Sequence, residues 1–188
     1  MPLTKIQSLG ITDGTIVNAD INASAAIAGT KLSGAGKVLQ VVHTTYQSQA
    51  TTSSPTPSDI SGFSASITPS SASNKVLVLV SVQMGGVGNA YGYFLLLRGS
   101  TSLIVGNGAG GSQVNTFISS GYIDGVAAMR GGSNSYLDSP NTTSATTYKI
   151  QFASGNSNAF YINRQSSTDN GAYIQFPVSS ITLIEIAA

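Results

Sequence analysis

The chain has 188 residues, only 8% of them charged, and a formal net charge of +1. A typical soluble domain is about 25% charged. Long solvated helices laced with Glu–Lys pairs are therefore excluded, as are the basic patches that hold nucleic acid or anionic membranes. Cysteine is absent, which excludes disulfide staples and thiolate chemistry.

The first segment, residues 1–36, has a beat of its own. Ile6, Ile11, Ile16 and Ile21 fall at every fifth position, Ile27 follows after six and Leu32 after five more. A helix needs apolar residues about 3.6 apart and a strand needs them every second position. A five-residue beat fits neither. Turn formers and small residues lie between the beats, as in Thr12-Asp13-Gly14 and Asn18-Ala19-Asp20. One short helix is the most that is expected, over SAAIAGTKL, with Ser24 as its N-cap and Gly34 as its stop. Such a segment has no core and is expected to be an extended arm that buries its isoleucines on another surface or on sister arms. The opening MPLTKIQSLG has no apolar stretch after Lys5, so no secretory signal is expected. The longest apolar runs, VLVLVSV and YFLLL, fall well short of the ~20 residues of a membrane-spanning helix.

From residue 37 the pattern becomes that of strands. KVLQVVHTTYQ is rich in Val, Thr and Tyr. GFSASIT places Phe63, Ala65 and Ile67 on one face. KVLVLVSVQM predicts a buried strand, bounded by PSSASN and by Gly85-Gly86. AYGYFLLLRGS and SLIVG follow, then the weaker candidates VNTFISSGYI, VAAMR and NSYLD. TTYKIQFAS and NAFYINRQ are joined by GNSN, which predicts a hairpin. SSITLIEIA closes the chain with Ile181, Leu183 and Glu185 on one face, and it must pair centrally because an exposed apolar edge aggregates. The expected fold is all-β: residues 37–188 form an antiparallel β-sandwich, jelly-roll-like, preceded by the arm.

The chemistry-bearing residues are sparse. Gly106 to Gly111 match G-x-G-x-x-G, but no helix follows and Asp124 comes too early for a dinucleotide site. The segment reads as a flexible loop, and no cofactor is expected. His43 is the sole histidine, on a predicted strand, without the partners that a triad or a zinc site requires. It reads as structural or surface-exposed; around a threefold axis it would form a ring. Asp59, Asp124, Asp138, Asp169 and Glu185 are far apart in the sequence, and no local pair suits glycoside hydrolysis. Asp138 and Asp169 suit Asx-type turns or calcium-binding loops; no metal site is expected. Neither catalytic residues nor enzymatic activity is expected. Tyr91, Tyr93 and Tyr136 stand near Asn, Ser or Gly, and a ring face beside an amide can hold a sugar; the alternative is packing against the sheet.

DGTIVNADINASAAIAGTKLS, Asp13 to Ser33, resembles repeats at the N-termini of phage fibre proteins. ITPSSASNKVLVLVSV, FLLLRGSTSLIVG, YLDSPNTTSATTYKIQF and SSITLIEIA are similar to a β-sandwich module of surface proteins from short-tailed and from marine or cyanobacterial phages. The resemblance implies a homotrimer on the virion surface, assembled in the host cytoplasm and attached by its arm to the major capsid protein or another virion protein. Host-surface glycans are a further implied partner; nucleic acid and membrane are not. The arm can span at most ~125 Å and no shaft follows it. A capsid decoration or cement protein is thus expected, the alternative being a short tail-fibre or spike tip that binds host glycans.

Overall fold

The structure is a computed structural model that describes residues 37–103, 113–125 and 128–188. The arm residues Ile6, Ile11, Ile16, Ile21, Ile27 and Leu32, the short-helix segment and the glycine loop at 106–111 lie outside the described residues. Contacts divide the chain after Gly34, two residues before the arm boundary read from sequence.

The described residues form eleven strands: β1 (Val38–Tyr46), β2 (Ala50–Thr52), β3 (Ser58–Ile67), β4 (Lys75–Gly86), β5 (Gly92–Arg98), β6 (Thr101–Ser102), β7 (Ile118–Ser119), β8 (Met129–Asp138), β9 (Thr146–Ser154), β10 (Phe160–Ile162) and β11 (Ser179–Ile186). All pair antiparallel, in two sheets. β10 lies between β2 and β4 as β11 lies between β1 and β4, so β1 with β2, and β10 with β11, are interrupted halves of two long strands. β8 takes the other edge of β4. The first sheet therefore runs β1/β2, β11/β10, β4, β8. The second runs β3, β9, β5, with β6 and β7 sharing the far edge. Numbered as eight long strands in chain order, the sheets read 1-8-3-6 and 2-7-4-5. This is the order of a jelly roll, in which two Greek keys wrap into a sandwich.

Side-chain alternation builds the core. Val76, Val78, Val80, Val82 and Met84 point inward from β4 and meet Ile181 and Leu183 of β11. Across the sandwich they face Phe63, Ala65 and Ile67 of β3, Phe94 and Leu96 of β5, and Tyr148, Ile150 and Phe152 of β9. Burying each large apolar side chain contributes about 1.5–3 kcal/mol. Gly62, at φ 81°, sits where the β3–β9 register shifts between Asp59 and Ser64. The kink lets both Ile60 and Phe63 point inward, three residues apart.

The C-terminal strand is central, as its apolarity requires. Four expectations need correction. GNSN is not a hairpin loop: β9 belongs to the second sheet and β10 to the first, so residues 155–159 turn a corner of the sandwich. The corner is held by Ser154 Oγ donating to Asn158 O at 2.7 Å and Asn156 Nδ2 to Asn89 O at 2.7 Å. β4 is buried on one face only, with Leu79 exposed on the other. NSYLD and Met129-Arg130 of VAAMR belong to one continuous β8, in which Gly132 points inward where a Cβ would collide with Ile118 and Met84. Asp138 is neither a loop ligand nor a turn residue. It is buried at the end of β8, where Arg98 Nη1 lies 2.9 and 2.7 Å from its two carboxylate oxygens and Tyr148 OH donates to Oδ2 at 2.6 Å. The clasp ties the β8 edge to the second sheet. Burial, and then the bond to this carboxylate, push the Tyr148 hydroxyl pKa strongly upward.

Among the described residues, the core cluster runs from Tyr46 to Leu183. A chain starting at Lys37 should keep a β-type circular dichroism spectrum and one cooperative melt. An unfolded product would mean that residues 1–36 complete the core.

Candidate functional site

The register fixes what the outer face of the first sheet presents. Inward residues alternate with Leu39, Val41, His43 and Thr45 on β1, Ser180, Thr182, Ile184 and Ile186 on β11, Leu77, Leu79, Ser81 and Gln83 on β4, and Gly131, Ser133, Ser135 and Leu137 on β8. Val41 pairs with Ile184, Ile184 with Leu77 and Leu77 with Leu137, so one apolar row crosses all four strands. The next row is His43, Thr182, Leu79 and Ser135; the one after is Thr45, Ser180, Ser81 and Ser133. An apolar end thus grades into a belt of hydroxyls. Val41 is 57% exposed and Leu137 50%. A shallow hollow of about 460 Å³ lies over the belt between Leu79, Ser133 and Thr182.

His43 stands where the two zones meet. Its Nδ1 lies 2.8 Å from Thr182 Oγ1 and its Nε2 3.3 Å from Thr45 Oγ1, so hydroxyls engage both ring nitrogens. No carboxylate stands on this face in the four strands. Lys75, at its end, donates to Ser139 Oγ at 3.1 Å. At the far end the backbone of Arg164 and Gln165 lies over outward Gly85, where a Cβ would strike it. Tyr173, Phe176 and Val178, later in the same connection, are exposed.

The chain enters the sandwich at the apolar end, where Ala187 N donates to Lys37 O at 2.9 Å. A buried carboxylate fixes this pole. Glu185 Oε1 accepts from Ser70 N (2.7 Å), Ser70 Oγ (2.8 Å) and Asn74 Nδ2 (2.6 Å), and Oε2 accepts from Gln40 Nε2 (2.5 Å). Burial alone would raise its pKa. The bonds from Gln40, Asn74 and Ser70 together outweigh burial and hold the carboxyl down at about 2. The network joins β1, β11 and the 68–74 connection.

The tyrosines singled out from sequence separate. Tyr91 and Tyr93 line one hollow of about 250 Å³, with Thr116, Ser119 and Gly155. It lies at the pole opposite Lys37, beside the start of β5 and the end of β9. Their hydroxyls are used within the fold: Tyr91 OH donates to Gly155 O at 2.9 Å and Tyr93 OH to Pro55 O at 3.1 Å. Tyr136 is elsewhere, half-buried on β8 against the core. Tyr122, which the sequence reading did not single out, is 60% exposed and meets the Tyr91 ring edge-on at 5.3 Å. Only the 120–128 connection brings it there, and no local motif announces that. Among the described residues, no group of three His, Asp or Glu side chains could hold a metal ion. Asp59 pairs on the surface with Lys149 at 2.7 Å, and Asp169 accepts from Tyr173 OH at 3.0 Å.

No protein-family model matches the chain, and no curated protein matches it.

The Glu185 network yields a pH dependence. Because the folded carboxyl lies below its ordinary 4.5, its stabilisation is complete above that value and is lost as the pH falls toward about 2. Glu185→Gln should destabilise the protein by ~2–4 kcal/mol at pH 7 and flatten this acid limb. Thermal melts between pH 7 and 2 would read both, and an unchanged acid limb in the variant would refute the assignment.

Proposed function

We propose that the chain is a non-enzymatic structural protein of a phage virion, a homotrimer that its arm fastens to the major capsid protein or another virion protein, where it decorates and stabilises the capsid surface. The observation that carries this reading is the outer face of the first sheet. It spans four strands, is apolar where the chain enters, and bears no carboxylate on those strands. Such a face suits burial between like copies better than permanent exposure to water. The resemblance of Asp13–Ser33 to fibre-protein repeats supports the arm's role.

A second reading has one observation in its favour. The Tyr91–Tyr122 ring pair and its hollow lie at the pole opposite Lys37. This suits a short spike tip that touches host glycans through ring faces.

In sedimentation at micromolar concentration the full chain should run near three times its 19.1 kDa mass. Replacing Ile11, Ile16 and Ile21 together with Ser should leave the trimer folded. It should also abolish binding to particles stripped of the native protein, since each buried Ile contributes ~1.5–3 kcal/mol. A monomer, or normal decoration by the triple variant, would contradict the proposal. Labelled protein over the whole shell supports capsid decoration, and label confined to the tail supports the spike.

A further inference from the structure

We infer that the outer face of the first sheet is the surface through which copies of the chain join, centred on the row Val41, Ile184, Leu77 and Leu137. The inference rests on the trimeric reading above and says which side of the sandwich carries it. Exposure is the starting point. Val38, Leu39, Val41, Leu79 and Leu137 are all exposed, and all belong to the first sheet. Scattered surface leucines are ordinary; a row in register across four strands is not, here with Val41 and Leu137 exposed and Leu77 and Ile184 half-buried between them.

The opposite side of the sandwich behaves differently. There the outer face of β3 and β9 carries Asp59, Lys149 and Gln151, already joined by an ion pair at 2.7 Å and a bond from Gln151 Nε2 to Asp59 at 2.8 Å. That face is built for water. The two outer faces of one sandwich thus differ in kind: the first sheet's bears no carboxylate on its four strands, and its Lys75 stands at one end.

Charge also selects the occupant. An unlike partner recruited electrostatically needs an oppositely charged patch, and this face offers none. A second copy meets no carboxylate there. Serine and threonine hydroxyls both donate and accept, so the belt of Thr182, Ser81 and Ser133 on one copy can bond that of the next around a threefold axis. Area points the same way. Four strands about 4.8 Å apart and four rows of outward residues give roughly 500 Å² in projection. A stable contact needs about 800 Å² per partner. Tyr173, Phe176 and Val178, exposed on the connection between β10 and β11 of this sheet, add apolar surface.

The experiment uses the full chain. Val41→Asp with Leu137→Asp would bury two unpaired carboxylates in the contact, and association should weaken by roughly a hundredfold or more. Ser66→Asp, on the opposite outer face, should leave assembly unchanged. The chain has no cysteine, so Leu79→Cys and Ser66→Cys each offer one thiol to a short bis-maleimide. The Leu79→Cys variant should cross-link between copies and the Ser66→Cys variant should not. The cross-linking result decides alone if the double-Asp variant does not fold. A double-Asp variant that stays trimeric, or cross-linking of the Ser66→Cys variant and not of the Leu79→Cys variant, would overturn this face while leaving the trimer intact. A wild-type monomer would overturn the trimeric reading and this inference together.

Discussion

The twofold alternation of β4 governs the molecule. This twelve-residue strand pairs with β11 and β10 on one side and β8 on the other. Its valines at 76, 78, 80 and 82 fill the core. The same parity sends Leu77 and Leu79 outward. A slip of one residue would exchange the two sets, so the register that makes the core also makes the outer face.

Three buried polar groups lock that register where apolar packing alone would permit slippage. Glu185 joins β11 to β1 and to the turn before β4. Asp138 holds the β8 edge to Arg98 and Tyr148 of the other sheet. Asn163 donates to Tyr46 O and Ser48 O, and accepts from Ser179 Oγ at 2.6 Å, where both long strands are interrupted. Each group has a specific set of partners that one alignment satisfies. Buried polar groups of this kind cost stability when left unpaired, so misaligned sheets are disfavoured beyond their lost contacts.

The strands with strong alternation were legible. β4, β9, β11 and the second half of β3 could be read from their own side chains, and the central place of β11 followed from its apolarity. What lay hidden depended on distant partners. GNSN has hairpin chemistry, yet Phe160 turns into the opposite sheet because Gly92 leaves space for its ring. Gly131 and Gly132 interrupt the local pattern of β8, which survives because β4 supplies a full ladder beside it. Asp138 sits in YLDSPN, a stretch with turn chemistry, and its role needed Arg98, forty residues earlier. The apolar row was beyond sequence reading for the same reason. Val41, Leu77, Leu137 and Ile184 come from four separate segments, and only the pairing aligns them. Tyr91 and Tyr93 line one hollow, while Tyr136, with similar neighbours in sequence, lies on the core side of β8.

If like copies cover this aligned outer face, as proposed, side-chain footprinting will register the cover. Hydroxyl-radical labelling of the full chain at micromolar concentration should find Leu79 and Leu137 protected, while Val114 and Tyr122, exposed at the opposite pole, label freely. Dilution until the copies separate should raise labelling at the two leucines and leave Val114 and Tyr122 unchanged. Leucines that label at the rate set by their exposure in the single chain, 38% and 50%, at every concentration would contradict it.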